Sequence, residues 1–238
     1  MGLGLVVQST LKSKSAAFSK VPTSSGISGK EITEKMLHEN RISDVSVISV
    51  SGFLSEHYDP TKKTVNLSSG VYAGKNISAV AVAARECDHA LQHAAAYSML
   101  MLRSRLVPIV QISSSLTQWV ILTGLGLFSF GGGNQTVLLP GIVLFAASTL
   151  FSVITLPVKF NASARALKWL DSANIMIPVE HDKAKDALKW VELTYVIATL
   201  ASIALLIQYI LIYQRRNTDW YLKKINSFRS KFFQDLFF

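Results

Sequence analysis

The longest stretch of the chain without a charged residue covers residues 106–158 and reads LVPIVQISSSLTQWVILTGLGLFSFGGGNQTVLLPGIVLFAASTLFSVITLPV. It contains no Asp, Glu, Lys, Arg or His, and it is too long for a single membrane crossing of about 20 residues. The polar sequence at 131–136 interrupts it and predicts a Gly-rich hairpin. We therefore expect two transmembrane helices here, one that ends near Phe130 and a second from about Val137 to Val158.

A second charge-free run at 193–214 predicts a third transmembrane helix. The composition agrees, because 50% of the residues are hydrophobic, only 16% are charged, and the mean hydropathy is +0.33. Soluble globular domains are nearer to a quarter charged. These observations exclude a freely soluble enzyme and predict an α-helical membrane protein with about three transmembrane helices.

The residues before the first of these helices predict a small α+β unit over 21–105. Ser28 and Glu31 have the spacing of a capping box, in which each side chain accepts a hydrogen bond from the other residue's backbone amide. In chain order the pattern then predicts a helix up to about Asn40, a strand at 45–50, a turn at Asp59–Pro60, a returning strand at Thr64–Leu67 and an alanine-rich helix at 77–97.

The distribution of basic residues predicts the orientation of the first two spans. Arg103 and Arg105 precede the first span, Lys159 follows the second, and the hairpin between the spans is uncharged. This distribution predicts that the α+β unit lies on the cytoplasmic side of the cell membrane. The basic tail opposes this pattern after a third crossing, so its side stays open.

The other segments are predicted as a short or truncated N-terminal membrane anchor (1–20), the two spans with their hairpin (106–158), a polar helical segment (159–192), the third span (193–214) and a basic amphipathic tail (215–238).

The net charge of +9 indicates contact with anionic lipid rather than nucleic acid, since no basic stripe with interleaved aromatic residues occurs outside the apolar segments. Cys87 is the single cysteine, so neither an intrachain disulfide nor a cluster of thiolate ligands can form. The expected partners are the lipid bilayer and a membrane protein or peptide substrate. No oligomeric state follows from the sequence.

The alanine-rich helix contains the one pattern that points to chemistry. Glu86 and His89 have the spacing of the last residues of the zincin motif H-E-x-x-H, in which two His bind a metal from one helix face and Glu acts as general base. Arg85 stands where the first His would be. Amphipathic helices often contain E-x-x-H, and Glu86, His89 and His93 could instead form another metal site or an ordinary hydrogen-bonded face.

Further motifs accompany this helix in a fixed order. They are Phe18-Ser19-Lys20-Val21-Pro22, Gly52-Phe53-Leu54 with His57-Tyr58-Asp59-Pro60, Leu102-Arg103-Ser104 with Val107-Pro108, and Leu156-Pro157-Val158 before Phe160-Asn161-Ala162-Ser163. Together with the helix they resemble the neutral zinc metallopeptidases of bacterial membranes, the YugP-like family. The resemblance runs from about Ser9 to Tyr213.

The resemblance implies a zincin-like unit of the gluzincin type, with a helix that reads H-E-x-G-H-A-x-Q and a third zinc ligand in an L-P-V-E-F-x-A-S segment. Carried over by position, His89 is a zinc ligand and Glu86 is the general base. The first ligand position falls on Arg85 and the third on Lys159, and neither cation has a lone pair for Zn²⁺. Zinc is thus the family's cofactor, but it is expected to be absent or weakly bound here.

Two functions from different classes follow from this degenerate metal site. The favoured one is a catalytically inactive or impaired homologue, in which Arg85 and Lys159 replace the charge of Zn²⁺ and the retained fold binds a partner or serves a structural role. The alternative is an active membrane zinc metalloendopeptidase with Glu86 as general base and an altered ligand set. Whether the chain is an enzyme therefore stays open at this point.

Overall fold

The structure is a computed structural model, and it describes residues 9–11, 13–14, 16–52, 54–125 and 135–237. The side chains of 112–113, 135 and 219–237 are not described. Four predictions therefore lie wholly or partly outside the described residues: the membrane anchor at its first residues, the end of the first span near Phe130, most of the Gly-rich hairpin, and the amphipathic face of the tail.

The elements in chain order are α1 (Gly29–Glu39), β1 (Ser46–Val50), β2 (His57–Asp59), β3 (Thr64–Ser68), α2 (Ser69–Tyr72), α3 (Ile77–Ala94), α4 (Ser98–Leu125), α5 (Gln135–Ser172) and α6 (Pro178–Phe237). The chain divides into two compact units. The first contains Met1–Ser104 and Val153–Ala198, and the second contains Arg105–Ser152 and Thr199–Phe238.

Local signals begin the first two long elements of the first unit. The capping box is confirmed, because the Ser28 hydroxyl accepts a hydrogen bond from the Glu31 amide and the Glu31 carboxylate accepts one from the Ser28 amide. Asn76 caps α3 in the same way by accepting from the amide of Ala79 at 2.9 Å. The predicted alanine-rich helix is confirmed from Ile77, although it ends at Ala94 rather than at Tyr97.

The sheet has the order β1-β3-β2, with β3 in the centre. β2 and β3 form an antiparallel hairpin across the turn that begins at Asp59. β1 instead pairs with β3 in parallel, with Val47 opposite Val65. The returning strand is thus confirmed, but its antiparallel partner is the short strand β2, which the sequence pattern did not predict.

The core of the first unit surrounds α3. Its fully buried side chains come from α1, the central strand, α3, the end of α5 and the start of α6, and they include Ile32, Leu67, Val80, Leu170 and Leu188. Every α3 residue from Ala79 to Gln92 is buried. Such a helix offers no solvated face, so its polar side chains must find partners within the protein.

In the part of the chain that the structure describes, two helices are long and apolar enough to cross a bilayer, Thr136–Ser172 and Pro178–Thr218. α4 provides a third crossing only if its two parts, Ser98–Gln111 and Ser114–Leu125, count as one span, since they meet at an angle of 50°. The described residues are therefore mostly helical, with two long apolar helices and one small sheet. Hydropathy and structure differ at Lys159, where the apolar run ends but α5 continues to Ser172.

Helix α1 packs very closely on the backbone of Val71 at Gly29. A Cβ atom at Gly29 would lie 2.1 Å from the carbonyl oxygen of Val71, and backbone atoms cannot yield as a flexible side chain can. We expect Gly29→Ala to lower the free energy of unfolding by about 1–3 kcal/mol or more through overpacking, measured by chemical denaturation in detergent. Gly70→Ala is the matched control, because a Cβ there meets nothing within 4 Å. Equal stability of the two variants would contradict the packing.

Candidate functional site

Helix α3 carries Arg85, Glu86 and His89, and the way it packs decides their environment. The alanines of this helix let neighbouring elements approach closely, which also removes these ionisable side chains from water. A charge in such a place is stable only when it is paired and hydrogen-bonded. The geometry below shows how each one is compensated.

Arg85 and Glu86 form a buried ion pair. Arg85 Nε lies 2.9 Å from Glu86 Oε1, and Nη2 donates to the same oxygen. The two side chains are only 5% and 3% exposed. Burial by itself would raise the pKa of Glu86, but the positive charge of Arg85, with a smaller contribution from Lys159, lowers the pKa below its ordinary value. Glu86 is therefore a carboxylate at neutral pH.

His89 is held in one tautomer by hydrogen bonds. Gln92 Nε2 donates to the backbone carbonyl oxygen of Val158 at 3.1 Å, and a carbonyl can only accept, so the orientation of the Gln92 amide is fixed. Gln92 Oε1 then accepts from His89 Nδ1 at 2.9 Å, which leaves Nε2 as the unprotonated nitrogen. Burial lowers the pKa of His89 to about 4, so the imidazole is neutral at pH 7.

Lys159 reaches the same place from α5. Its Nζ lies 4.0 Å from the centre of the Tyr195 ring, a cation–π contact. Gln92 Nε2 also donates to Asn161 Oδ1 at 2.9 Å. The amide of Gln92 thus fastens α3 to the segment of α5 on both sides of Lys159.

Glu86, His89 and Lys159 line one small cavity of about 60 Å³, which has room for a few water molecules. Glu56 and Arg103 also line it, and Glu56 Oε1 accepts a hydrogen bond from the Ser68 hydroxyl. The structure therefore brings together three of the residues that the family resemblance singled out. Arg85 is beside Glu86 in the pair but does not belong to the cavity lining.

Asp88 is the third ionisable residue of the helix that has a charged partner. Its carboxylate, 1% exposed, accepts from Arg165 Nε at 2.9 Å. Burial raises the pKa of Asp88 to about 6, although the charge of Arg165 opposes the shift. Asp88 therefore links α3 to α5 a second time.

The other candidates of the helix have structural partners. His93 Nδ1 lies 3.0 Å from the Tyr58 hydroxyl. The Cys87 thiol points at the Thr33 carbonyl oxygen at 3.6 Å, and burial raises the pKa of this thiol. Among the described residues no three His, Cys, Asp or Glu side chains come together in a group that could hold a metal ion. The alternative site of Glu86, His89 and His93 is therefore not formed.

A catalytic zinc ion requires three protein ligands with lone pairs. At this cavity His89 offers Nε2, whereas Glu86 already accepts two hydrogen bonds from Arg85. Arg85 and Lys159 cannot ligate because their nitrogens have no lone pair to give. The described residues of the cavity thus do not fit the zinc site that the family resemblance implies.

The sequence motifs resemble those of membrane zinc peptidases, and comparison with known families tests this resemblance. The chain belongs to the family described as "Putative neutral zinc metallopeptidase", whose model matches residues 1–214. The resemblance inferred from the sequence is thereby confirmed, and zinc is the metal of that family.

One curated relative is similar over nearly the whole chain. "Putative membrane protease YugP" of Bacillus subtilis (strain 168) is 39% identical over 213 residues, which cover 90% of this chain and 92% of that protein. No solved structure matches the chain. The relative and the two long apolar helices together place this protein in a membrane.

Sequence reasoning missed the residues that hold the site. Gln92 was visible as the last residue of the H-A-x-Q motif but received no role, and its two contacts on α5 are 66 and 69 positions away. Arg103 was noted for its charge before the first span and as part of the Leu102-Arg103-Ser104 motif, but it received no role at the site, whereas it lines the cavity. The pairing of Tyr195 with Lys159 had no sequence signal.

Removal of one member of the buried ion pair tests the description of the site. We expect Arg85→Gln to lower the free energy of unfolding by about 3–5 kcal/mol, because Glu86 would be left as an unpaired buried charge. Arg85→Gln with Glu86→Gln should lose much less, and a double-mutant cycle by chemical denaturation measures the difference. Lys30→Gln is the control for an exposed pair with Glu34, and it should change the free energy of unfolding far less than Arg85→Gln does. Additive losses in the cycle would contradict the pair.

The pKa values of His89 and Asp88 predict opposite effects of acid. The pKa of His89 is 6.5 in the unfolded state and about 4 in the folded state. As the pH is lowered between these two values, the unfolded state takes up the proton first, so the free energy of unfolding decreases. The pKa of Asp88 is 3.8 in the unfolded state and about 6 in the folded state. As the pH is lowered between these two values, the folded state takes up the proton first, so the free energy of unfolding increases.

From pH 7 to pH 5 we therefore expect His89→Asn to lose less stability than the unsubstituted protein, by on the order of 2 kcal/mol. Asp88→Asn should lose more stability than the unsubstituted protein over the same interval. Denaturation curves at both pH values measure each difference. Parallel behaviour of all three proteins would show that these groups do not titrate as described.

Proposed function

We propose that this chain is a membrane-embedded zinc-metallopeptidase homologue that is catalytically inactive or impaired, because cationic side chains have replaced the metal. Its function would then lie in binding a membrane protein or peptide, or in a structural role. The observation that supports this most directly is the Arg85–Glu86 ion pair. In this pair Arg85, at the expected first ligand position, donates hydrogen bonds to Glu86, at the expected general-base position.

A general base works best when its pKa lies near the working pH and no cation holds its carboxylate. Glu86 Oε1 accepts from Nε and Nη2 of Arg85, and the net effect of its surroundings lowers the pKa of Glu86. Both features weaken a carboxylate as a proton acceptor. The geometry thus favours a structural role for Glu86 over a catalytic one.

The sign of the replacements supports the same proposal. A carboxylate built to lie beside a dication would be unpaired and unstable in a buried place without that metal. Arg85 supplies a direct partner, and Lys159 lines the same cavity as Glu86 and adds positive charge there. These cations can balance the buried carboxylate without zinc.

The second candidate is an active membrane zinc metalloendopeptidase with an altered ligand set. It is favoured by the retention of Glu86 and by the free lone pair on His89 Nε2, the nitrogen left unprotonated by the bond from Nδ1 to Gln92. It would require two more ligands, and the described residues provide no group of three around this position. We therefore place it second.

For the membrane part we propose three crossings, with α4 as one bent span and with α5 and α6 as the others. The unit at 21–105 would then lie on the cytoplasmic side, because basic residues flank the first two spans and their connection is uncharged. The basic residues of 215–238 would contact anionic lipid.

Zinc content and back-substitution test the proposal. We expect the detergent-purified protein to contain far less than one zinc per chain by elemental analysis. The double variant Arg85→His with Lys159→Glu should bind about one zinc that EDTA removes, because it restores the ligand types that the family resemblance implies.

The matched control adds His89→Ala to the double variant and should abolish zinc binding, whereas Lys168→Glu in place of Lys159→Glu should not support it. Stoichiometric, EDTA-removable zinc in the unsubstituted protein would refute the proposal and favour the active peptidase. The next step would then be an assay with membrane-protein substrates.

A further inference from the structure

The second part of α4, Ser114–Leu125, carries a polar side chain within the charge-free run. Gln118 is exposed on this helix, and Arg105, the nearest charged residue in the sequence, lies 13 positions before it. No hydrogen bond joins the Gln118 amide to another described residue. In lipid an amide lacks the hydrogen bonds that water provides. A polar group of another molecule in the membrane would therefore stabilise Gln118.

A groove lies beside Gln118 and has a volume of about 300 Å³. Leu122 of α4, Phe145 of α5 and Tyr209 of α6 line it together with Gln118, and all four residues belong to the second compact unit. The rings of Phe145 and Tyr209 meet edge to face, with their centres 5.5 Å apart. Since an apolar cavity of about 150 Å³ holds benzene, this groove has room for a large aromatic side chain.

Trp119 is such a side chain on the same helix, and it is 62% exposed. Successive residues of an α-helix are turned by about 100°, so Trp119 does not face the groove that Gln118 lines. Ser115 and Leu122 lie between Gln118 and Trp119 around the helix axis. These four residues form the α4 face, which has the groove at one edge, Trp119 at the other and no charged residue.

From this arrangement we propose that the α4 face binds a second copy of this chain, which makes the protein a symmetric dimer in the membrane. Two copies insert in the same orientation, so a twofold axis must lie along the membrane normal, and the two α4 helices are parallel. Gln118 then lies at the same depth in both copies. An amide both donates and accepts, so the two Gln118 side chains can hydrogen-bond with each other, as polar side chains do between transmembrane helices.

The same symmetry brings Trp119 to the groove of the other copy. Across a twofold axis, one edge of a helix face meets the opposite edge of the same face in the second copy. Trp119 and the groove are at these opposite edges, so each indole ring can enter the groove beside Phe145 and Tyr209. The contact occurs twice, and a buried aromatic ring in a pocket is a frequent source of binding energy at interfaces.

Disulfide cross-linking in membranes tests the dimer. All variants carry Cys87→Ala, which removes the single native thiol. We expect Ser115→Cys, at the middle of the α4 face, to form a disulfide-linked dimer on mild oxidation, because the symmetry places the two thiols close together. Leu116→Cys is the matched control. It is also exposed but is turned away by about 100°, so it should stay monomeric. If Cys87→Ala does not fold, the pair is compared with the buried Cys87 in place.

The dimer dissociation constant in lipid vesicles, measured by energy transfer between labelled copies, tests the individual side chains. Gln118→Leu should weaken the dimer by about threefold to thirtyfold, and Gln118→Asn, which keeps the amide, should weaken it less. Trp119→Ala should weaken it by about tenfold or more. Leu116→Ala, outside the α4 face, should stay within about twofold of the unsubstituted protein.

Three results would overturn the inference. They are a monomeric unsubstituted protein, equal cross-linking of Ser115→Cys and Leu116→Cys, and cross-linking of Ser115→Cys to a different membrane protein. Dissociation constants that Gln118→Leu and Trp119→Ala leave as unchanged as Leu116→Ala does would also overturn it.

The inference rests on one part of the proposed function, the crossing of the membrane by α4, and not on the absence of zinc. If a membrane-impermeant maleimide labels both Ser115→Cys and Leu116→Cys in intact membranes, this part of α4 lies in water, and the proposed crossing and the dimer are both overturned. Zinc analysis of the same samples separates the rest. A zinc-loaded dimer overturns the proposed inactivity and leaves the dimer intact, whereas a zinc-free monomer does the reverse.

Discussion

The buried ion pair of Arg85 and Glu86 is the constraint on which the site depends. Helix α3 is buried from Ala79 to Gln92, so a carboxylate there must be compensated from within the protein. Such a pair is not itself a large source of stability, because well-packed apolar residues often serve as well. Its importance is that each member makes the other necessary. Substitution of either residue alone leaves an unpaired buried charge. Arg85 and Glu86 are therefore tolerated in the buried helix only together.

The amide of Gln92 holds the site together by bonds that involve no net charge and no metal. It donates to the Val158 carbonyl oxygen and to Asn161 Oδ1, and it accepts from His89 Nδ1. The position of Lys159 between its two contacts follows from this. Neither the uncharged amide of Gln92 nor the Asp88–Arg165 pair, which also joins α3 to α5, involves a metal ion. The arrangement of His89, Glu86 and Lys159 can therefore persist whether or not a metal ion is bound.

Local signals in the sequence predicted the beginnings of elements well. The capping box of Ser28 and Glu31 and the helix that starts at Ile77 are confirmed, since both depend on interactions within a few residues. The parallel pairing of β1 with β3 was not predictable, because alternation indicates a strand but not its partner. Hydropathy likewise could not show that α5 continues past Lys159. A charged residue disfavours burial in the lipid, but it does not prevent the helix from continuing its backbone hydrogen bonds. The family motif placed Glu86 and His89 on one helix. The partners of Asp88 and Lys159 come from distant positions that no local pattern reveals.

On the proposed function, the sign of the charges at positions 85 and 159 would explain how a relative of zinc peptidases keeps this helix without two of the family's metal ligands. On the proposed assignment, a zinc ion would give the cavity two positive charges beside Glu86. Neutral residues at both ligand positions would leave that carboxylate buried and alone, whereas cations restore the balance. Arg85 does so by direct hydrogen bonds, and Lys159 by its charge at the cavity while an aromatic ring holds its ammonium. The same guanidinium that stabilises Glu86 also lowers its pKa. If Glu86 holds the general-base position, as the resemblance implies, the arginine that stabilises its buried carboxylate also weakens it as a base. Stability and peptidase chemistry would then make opposing demands on position 85.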